Sequence, residues 1–284
     1  MKHFKIGGVP EHFNLPWYFT LRDKAYPAQG INLRWKDYPG GTGDMCAALR
    51  KKEIDMAVLL TEGMVRDIIN GNNSSIVQVF VETPLLWGIH VAKNSRFHSV
   101  SDLKGTVAAI SRFGSGSHLM AFVNAENHKW NTQADLHFKE VKDLEGALEN
   151  LPKGESDYFM WEKFMTKPYV DRDILRLVGE CPTPWPCFVI AVRNEMLETE
   201  TESIKTILEI INATTADFKD ITSIDTTIAH RYNLRPEDVK QWLSLTRWSQ
   251  RPLTEKELER IQNELLNLAL IDQKIPANKI IATL

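Results

Sequence analysis

The stretch SVSDLKGTVAAISRFGSGSH (residues 99–118) indicates how this chain folds. Residues 99–104 suit a short helical turn, and residues 106–111 are an apolar run typical of a buried strand. Gly114-Ser115-Gly116-Ser117 then opens a helix that we expect to run to about residue 127. A strand that ends in a glycine-rich turn and leads into a helix is the repeating unit of a parallel sheet covered by helices.

The same alternation extends along the chain in both directions from this stretch. We predict the following strands: 4–9, 31–38, 55–60, 75–81, 87–92, 136–141, 157–161, 174–178 and 188–192. We predict helices over 13–24, 44–52, 62–70 and 143–151, and an almost wholly helical tail from Glu195. In that tail Pro236 suits a first helical turn, and Thr254 with Glu257 forms a capping box. The fold class is therefore α/β with mostly parallel sheets.

The length of 284 residues suits two lobes of roughly 100–150 residues each. Segment order predicts two Rossmann-like α/β domains joined by a two-strand hinge at residues 87–92 and 188–192. Lobe 1 would comprise residues 1–87 and 190–284, which include the helical C-terminal tail, and lobe 2 residues 88–189. One larger sheet is the alternative.

Composition excludes several classes of partner. The net charge of −3 and the lack of a basic stripe argue against binding of nucleic acid. The chain has no run of about 18 apolar residues, so we predict no membrane-spanning helix. The first residues show no signal peptide, so we expect a cytoplasmic protein, or a periplasmic one if a leader was removed. Three cysteines without dense spacing do not make a disulfide framework and fit a reducing compartment.

Ligands of open parallel sheets lie outside the carboxyl ends of the strands, so the segments that follow strands are candidates. They are residues 11–17, 40–43, 61–63, 82–84, 112–118, 161–162 and 181–186, all of which can face one cleft. The glycine-rich turns at 40–43 and 114–117 suit an anion or a carbonyl oxygen, although such glycines often only make turns. Neither turn is a nucleotide-binding motif.

Aromatic and acidic side chains add to these turns. Four Trp residues at strand ends suit a planar ring or an alkylammonium group, with loop packing as the alternative. Those residues are Trp17, Trp87, Trp161 and Trp185. Glu62 and Glu162 suit an amine or a ring N–H, although an acid at a helix N-terminus is favourable by itself. No zinc motif is present, so we assign no metal, no cofactor and no catalytic residue.

Two motifs resemble a known family. Ile54-Asp55-Met56-Ala57 and Val100-Ser101-Asp102-Leu103-Lys104-Gly105-Thr106-Val107-Ala108 are similar to the type II periplasmic binding proteins. The closest branch binds alkanesulfonates, taurine, nitrate or thiamine pyrimidine precursors, and the resemblance covers about residues 4–193. It implies a small-molecule ligand between the lobes. It places on the pocket wall Asn14, Trp17, Gly41, Thr42, Thr61, Thr83, Arg112, Gly114, Ser115 and Trp161, to which we add Glu62 and Trp185.

The chain departs from this family in two respects. Family members are normally exported and serve an ABC permease, whereas this chain looks similar to leaderless cytosolic members, including fungal ones. Fungal pyrimidine synthases of this fold use a Cys-rich iron-binding segment, which residues 181–187 do not reproduce.

We therefore predict a solute-binding protein that closes on a sulfonate, a pyrimidine or a similar ligand by hinge motion, and not an enzyme. One alternative is an enzyme acting on a pyrimidine-type thiamine precursor, with His12 or His118 as the acid, base or nucleophile. The other is a structural or regulatory protein with an empty cleft.

Overall fold

The computed structural model describes all 284 residues. Two compact units emerge from the contacts within the chain. Unit 1 comprises residues 1–83, 185–232 and 239–284, and unit 2 comprises residues 84–184 and 233–238. Each unit contains one five-stranded sheet.

The elements follow the predicted alternation. The strands are β1 (Lys2–Gly8), β2 (Ile31–Asp37), β3 (Met56–Leu60), β4 (Ser74–Val81), β5 (Leu86–Ala92), β6 (Val107–Ile110), β7 (His137–Glu140), β8 (Tyr158–Glu162), β9 (Leu175–Pro182) and β10 (Phe188–Arg193). The helices are α1 (Leu15–Arg22), α2 (Thr42–Arg50), α3 (Thr61–Ile69), α4 (Gly116–Asn127), α5 (Leu144–Asn150), α6 (Lys163–Asp171), α7 (Asn194–Thr199), α8 (Thr201–Ala216), α9 (Ile224–Tyr232), α10 (Pro236–Leu245) and α11 (Glu255–Asn267). The α/β class is confirmed.

The sheet of unit 1 has the order β2-β1-β3-β10-β4. β1 pairs in parallel with β2 and β3, whereas β10 runs antiparallel to both of its neighbours, β3 and β4. β4 and β10 are buried along their whole length, as expected for strands covered on both faces. The sheet is therefore mostly parallel, with one reversed strand near its centre.

The sheet of unit 2 has the order β7-β6-β8-β5-β9, and here β5 is the reversed strand. A hydrophobic cluster against this sheet includes Phe159, Leu151 and Leu175. All five strands come from one continuous stretch of chain, residues 86–182.

The strands expected to form the hinge each belong to a single sheet. β5 lies wholly in the sheet of unit 2, and β10 wholly in the sheet of unit 1. The chain passes between the units at residues 83/84 and 184/185, directly before these two strands, and again at 232/233 and 238/239. Segment order alone did not show that residues 233–238 group with unit 2.

Two elements differ from their sequence-based description. The helix α6 was not predicted, because Pro168 lies inside it and proline normally interrupts a helix. The strand β9 extends to Pro182 instead of ending near residue 178, because it pairs with β5 up to Leu86↔Pro182. No helix of the chain is both long enough and apolar enough to span a membrane.

Candidate functional site

In unit 1, four strands end at one edge of the sheet, and β10 begins there because it runs in the opposite direction. This is the edge at which open parallel sheets bind their ligands. The predicted residues on segments connected to this edge are Asn14, Trp17, Gly41, Thr42, Thr61, Glu62, Thr83 and Trp185.

Glu62 and Trp185 form a buried pair at this edge. The indole Nε1–H of Trp185 donates to Oε2 of Glu62 at 2.7 Å. Both residues are buried, and no hydrogen bond is donated to Oε1 of Glu62. Burial raises the pKa of Glu62 to about 7. The carboxyl group is thus present in both its neutral and its ionised form near pH 7, and one of its oxygens remains available as an acceptor.

Three threonine hydroxyls hold the surrounding backbone in place. Thr61 donates its hydroxyl proton to the carbonyl oxygen of Pro186 at 2.6 Å, so its proton is already used. Thr42 instead accepts from the backbone N–H of Leu60 at 3.1 Å, and Thr83 accepts from that of Arg247 at 3.3 Å. An accepting hydroxyl keeps its own proton. Thr42 and Thr83 are therefore the two that retain a donor for a ligand.

Asn14 and Trp17 are fully buried in the segment that follows β1. The side-chain amide of Asn14 donates to the carbonyl oxygen of Val9 at 2.9 Å, and its Oδ1 accepts no hydrogen bond. The Trp17 ring lies 6.0 Å from the ring centres of Trp35 and Phe80. Trp17 is thus packed among core aromatics, while Asn14 retains an unused acceptor.

The glycine-rich turn before α2 depends on its backbone conformation. Gly41 has a φ of +77°, which favours glycine, and its N–H donates to the carbonyl oxygen of Tyr38 at 2.9 Å. One backbone N–H of the predicted anion site is therefore already hydrogen-bonded within the turn. The carboxylate of Asp44 also lies in the first turn of α2, where it already interacts favourably with the helix dipole.

In unit 2, β6 and β8 are parallel and end at the same edge. Arg112, Gly114 and Ser115 follow β6, and Trp161 is the second-last residue of β8. Arg112 is half-buried, and Ser115 caps α4 by accepting from the backbone N–H of His118 at 3.4 Å. The four predicted residues of unit 2 thus lie at one edge of the sheet.

The loop of residues 111–118 is held by its own hydrogen bonds. Ser117 accepts from the backbone N–H of Ser111 at 2.9 Å. The backbone N–H of Gly114, at a φ of +78°, donates to Nδ1 of His118 at 3.1 Å. Because Nδ1 is the acceptor here, the neutral His118 ring carries its proton on Nε2. The imidazole therefore supports the loop that carries Arg112.

Trp161 is half-buried against the core of unit 2. Its ring stacks on Phe159 at 5.2 Å and meets the edge of Trp87 at 6.4 Å. The neighbouring Glu162 accepts from the backbone N–H of Met165 at 2.7 Å and so caps α6. This agrees with the alternative interpretation that Glu162 is a helix-terminal charge.

The three cysteines are free and buried. Burial raises the pKa of Cys181 to about 11, which keeps its thiol protonated near pH 7. No group of three or more His, Cys, Asp or Glu side chains has the arrangement of a metal site.

Several known proteins are similar to this chain in fold. The model of the family described as Ca3427-like PBP matches residues 87–181, about a third of the chain. The Candida albicans CA3427 gene product, described as having the generic periplasmic binding protein fold, is similar with a TM-score of 0.91 and 24% identity over 99% of this chain and 96% of that one.

Two further solved structures are similar over the whole chain. The alkanesulfonate-binding protein SsuA from Xanthomonas axonopodis pv. citri, bound to MOPS, has a TM-score of 0.85 and 15% identity, covering 100% of this chain and 99% of that one. The ligand-binding component of an ABC-type import system from Staphylococcus aureus, with zinc bound, has a TM-score of 0.76 and 13% identity, covering 100% and 97%. No curated protein matches the sequence.

This chain has the periplasmic binding protein fold. The resemblance inferred from residues 54–57 and 100–108 is thereby confirmed at the level of the fold.

One aromatic group in this periplasmic binding protein fold was not predicted from the sequence. The His12 ring stacks on Trp242 at 4.1 Å with an angle of 11° between the planes, and Phe13 meets both rings edge-on. Burial lowers the pKa of His12 to about 3, so the ring is neutral near pH 7. The only sequence signal was Trp242 on the apolar face of a tail helix, which did not reveal its contact with residue 12.

Proposed function

We propose that this chain is a solute-binding protein for a small polar or anionic ligand, which can contain a ring. The observation that carries the proposal is that the predicted residues follow the carboxyl ends of the parallel strands in each sheet, where ligands of open α/β sheets bind. The fold supports it, since similar solved structures include an alkanesulfonate-binding protein and a component of an import system.

We further propose that residues of both units take part in capturing the ligand by closure. This part of the proposal rests on the sequence, from which we predict a cleft between two lobes. Closure is favoured when the ligand binds the closed state more tightly than the open one.

Arg112 is the side chain that we propose for an acidic group of the ligand, such as a sulfonate. It follows β6 and lies on a loop that Ser117 and His118 hold through hydrogen bonds. A guanidinium fixed in this way suits an oxyanion, because its planar donors match two acceptor oxygens.

We propose that the ligand is bound without being converted. Of the two histidines suggested for an enzyme, His12 has a pKa of about 3, which makes it a weak base near pH 7. Nδ1 of His118 already accepts a hydrogen bond from the backbone N–H of Gly114.

An ABC permease partner is part of the proposal only if the protein is exported, and a cytoplasmic location remains a prediction from the sequence. Fractionation of cells with an antibody against the chain tests the location.

Native mass spectrometry of freshly purified protein, followed by thermal melting with sulfonates, pyrimidines and carboxylates, tests the function. We expect a co-purified small molecule, or a rise in Tm with at least one of these classes. Arg112→Gln should weaken binding of the acidic ligand by about tenfold or more, because a charge-assisted contact is lost. Arg22→Gln, at a salt-bridged surface position, is the matched control. No bound molecule and no change in Tm with any class would contradict the proposal.

A further inference from the structure

The buried oxygen Oε1 of Glu62 is an acceptor that lacks a donor. Glu62 is 1% exposed, so water at the protein surface does not hydrate the carboxyl group. Its Oε2 receives the indole N–H of Trp185 at 2.7 Å, while Oε1 receives no hydrogen bond. Buried acceptors in folded proteins are nearly always paired, so an unpaired one requires an explanation.

No positively charged side chain stabilises the ionised form of Glu62. Its pKa is raised by burial and is lowered only by hydrogen bonds from its own backbone and from Trp185. A carboxylate with little solvent exposure is normally paired with a cation, as the half-buried Asp55 is with Arg193 at 2.7 Å in the same unit. Glu62 therefore has the surroundings of a group whose partner is not part of the chain.

A second unused acceptor lies on the segment that follows the neighbouring strand. Asn14 is fully buried, and its Oδ1 accepts no hydrogen bond although its amide donates to Val9. β1 and β3, which lead to these two residues, are paired strands. A ligand that carries only acceptor oxygens, such as a simple sulfonate, satisfies neither oxygen.

We propose that Glu62 accepts a hydrogen bond from an N–H or ammonium group of the ligand. The ligand class is then an amine, an amidine or an amino-substituted ring, with or without an acidic group at its other end. This inference rests on the proposed solute-binding function and narrows it. Glu62 becomes the residue that distinguishes an amino-bearing ligand from an otherwise identical ligand without the amino group.

Paired probes test the inference on the full chain. Taurine is compared with ethanesulfonate, and aminopyrimidine with unsubstituted pyrimidine, by titration calorimetry. We expect the amino-bearing member of at least one pair to bind about tenfold more tightly or better, as for a hydrogen bond to a charged group. Glu62→Gln should reduce this ratio to near one, because the ionised acceptor is lost.

A matched control is available in the sequence. Thr201 and Glu202 begin α8 in the same way as Thr61 and Glu62 begin α3, but the side chain of Glu202 is 84% exposed. Glu202→Gln should leave the ratio unchanged.

A spectroscopic measurement does not depend on the affinity of the variant. In infrared spectra of the wild-type chain near pH 7, adding the amino-bearing probe should reduce the carbonyl band of a neutral carboxylic acid. An N–H donated by an amino or an ammonium group stabilises the ionised form of Glu62 and so drives this loss. The change should be absent in Glu62→Gln.

The possible failures are distinguishable. If both members of every pair bind equally and Glu62→Gln changes neither affinity, the inference is overturned and the solute-binding function stands. If no probe binds and no small molecule co-purifies, the inference and the proposed function both fail.

Discussion

At the scale of single residues, the interior contains ionisable side chains whose charged forms burial disfavours. Burial raises the pKa of Glu62 to about 7, and lowers that of His12 to about 3 and that of His90 to about 4. Charged forms are disfavoured wherever water is excluded and no counter-charge is near. Buried acids therefore destabilise the fold as the pH rises, and buried histidines as the pH falls, and both effects develop below about pH 7.

In the unfolded chain the carboxyl group of Glu62 ionises near its usual pKa of 4.5, whereas in the folded chain it stays protonated up to about pH 7. Its contribution to stability is fully present below pH 4.5 and is lost as the pH rises to about 7, because the unfolded state releases its proton first.

Glu62→Gln should therefore gain stability relative to the wild type as the pH rises from about 4.5 to about 7, and the difference should stay constant above that. Urea unfolding at a series of pH values measures it, with Glu202→Gln as the control. A difference that does not vary with pH would show that Glu62 titrates normally in the folded chain.

At the scale of elements, local signals in the sequence identified nearly every helix and strand, because turns, caps and apolar periodicity depend on neighbouring residues. The capping box at Thr254 is present, with the backbone N–H of Glu257 donating to Thr254 at 3.2 Å. Pro236 is the first residue of α10. The helix α6 was not predicted, because a proline normally interrupts a helix, whereas α6 continues through Pro168.

Thr254→Ala should lower the free energy of unfolding by about 1 kcal/mol, since the first turn of α11 loses its side-chain cap. Thr214, in the last turn of α8, is not an N-cap residue, and Thr214→Ala should leave the stability nearly unchanged or slightly raised. Denaturant midpoints of the two variants make the comparison. Equal midpoints would mean that the capping box contributes nothing.

At the scale of the whole molecule, the strand order shows what could not be predicted. The periodicity of residues 188–192 predicts a strand, but not that it lies antiparallel between β3 and β4. The edge positions of the candidate residues were predictable, because they follow from the direction of parallel strands. The pairing of Glu62 with Trp185 and the stacking of His12 on Trp242 were not, since each joins residues more than 100 positions apart.

A fragment of residues 84–184 should fold by itself, because it contains all five strands of its sheet and its own hydrophobic cluster. A fragment of residues 1–83 should not, because it lacks β10, which pairs with both β3 and β4. Circular dichroism and amide exchange on the two fragments test this. A disordered 84–184 fragment, or a cooperatively folded 1–83 fragment, would contradict the expectation.

The central position of β10 also constrains how the chain is made. During synthesis the strands β1 to β4 leave the ribosome first, yet their sheet stays open until residue 193 has emerged. In the interval unit 2 has all of its strands, while β3 and β4 present apolar strand edges with unpaired backbone groups. The part of the chain that is made first is thus completed last, and its most vulnerable period is the translation of about a hundred residues.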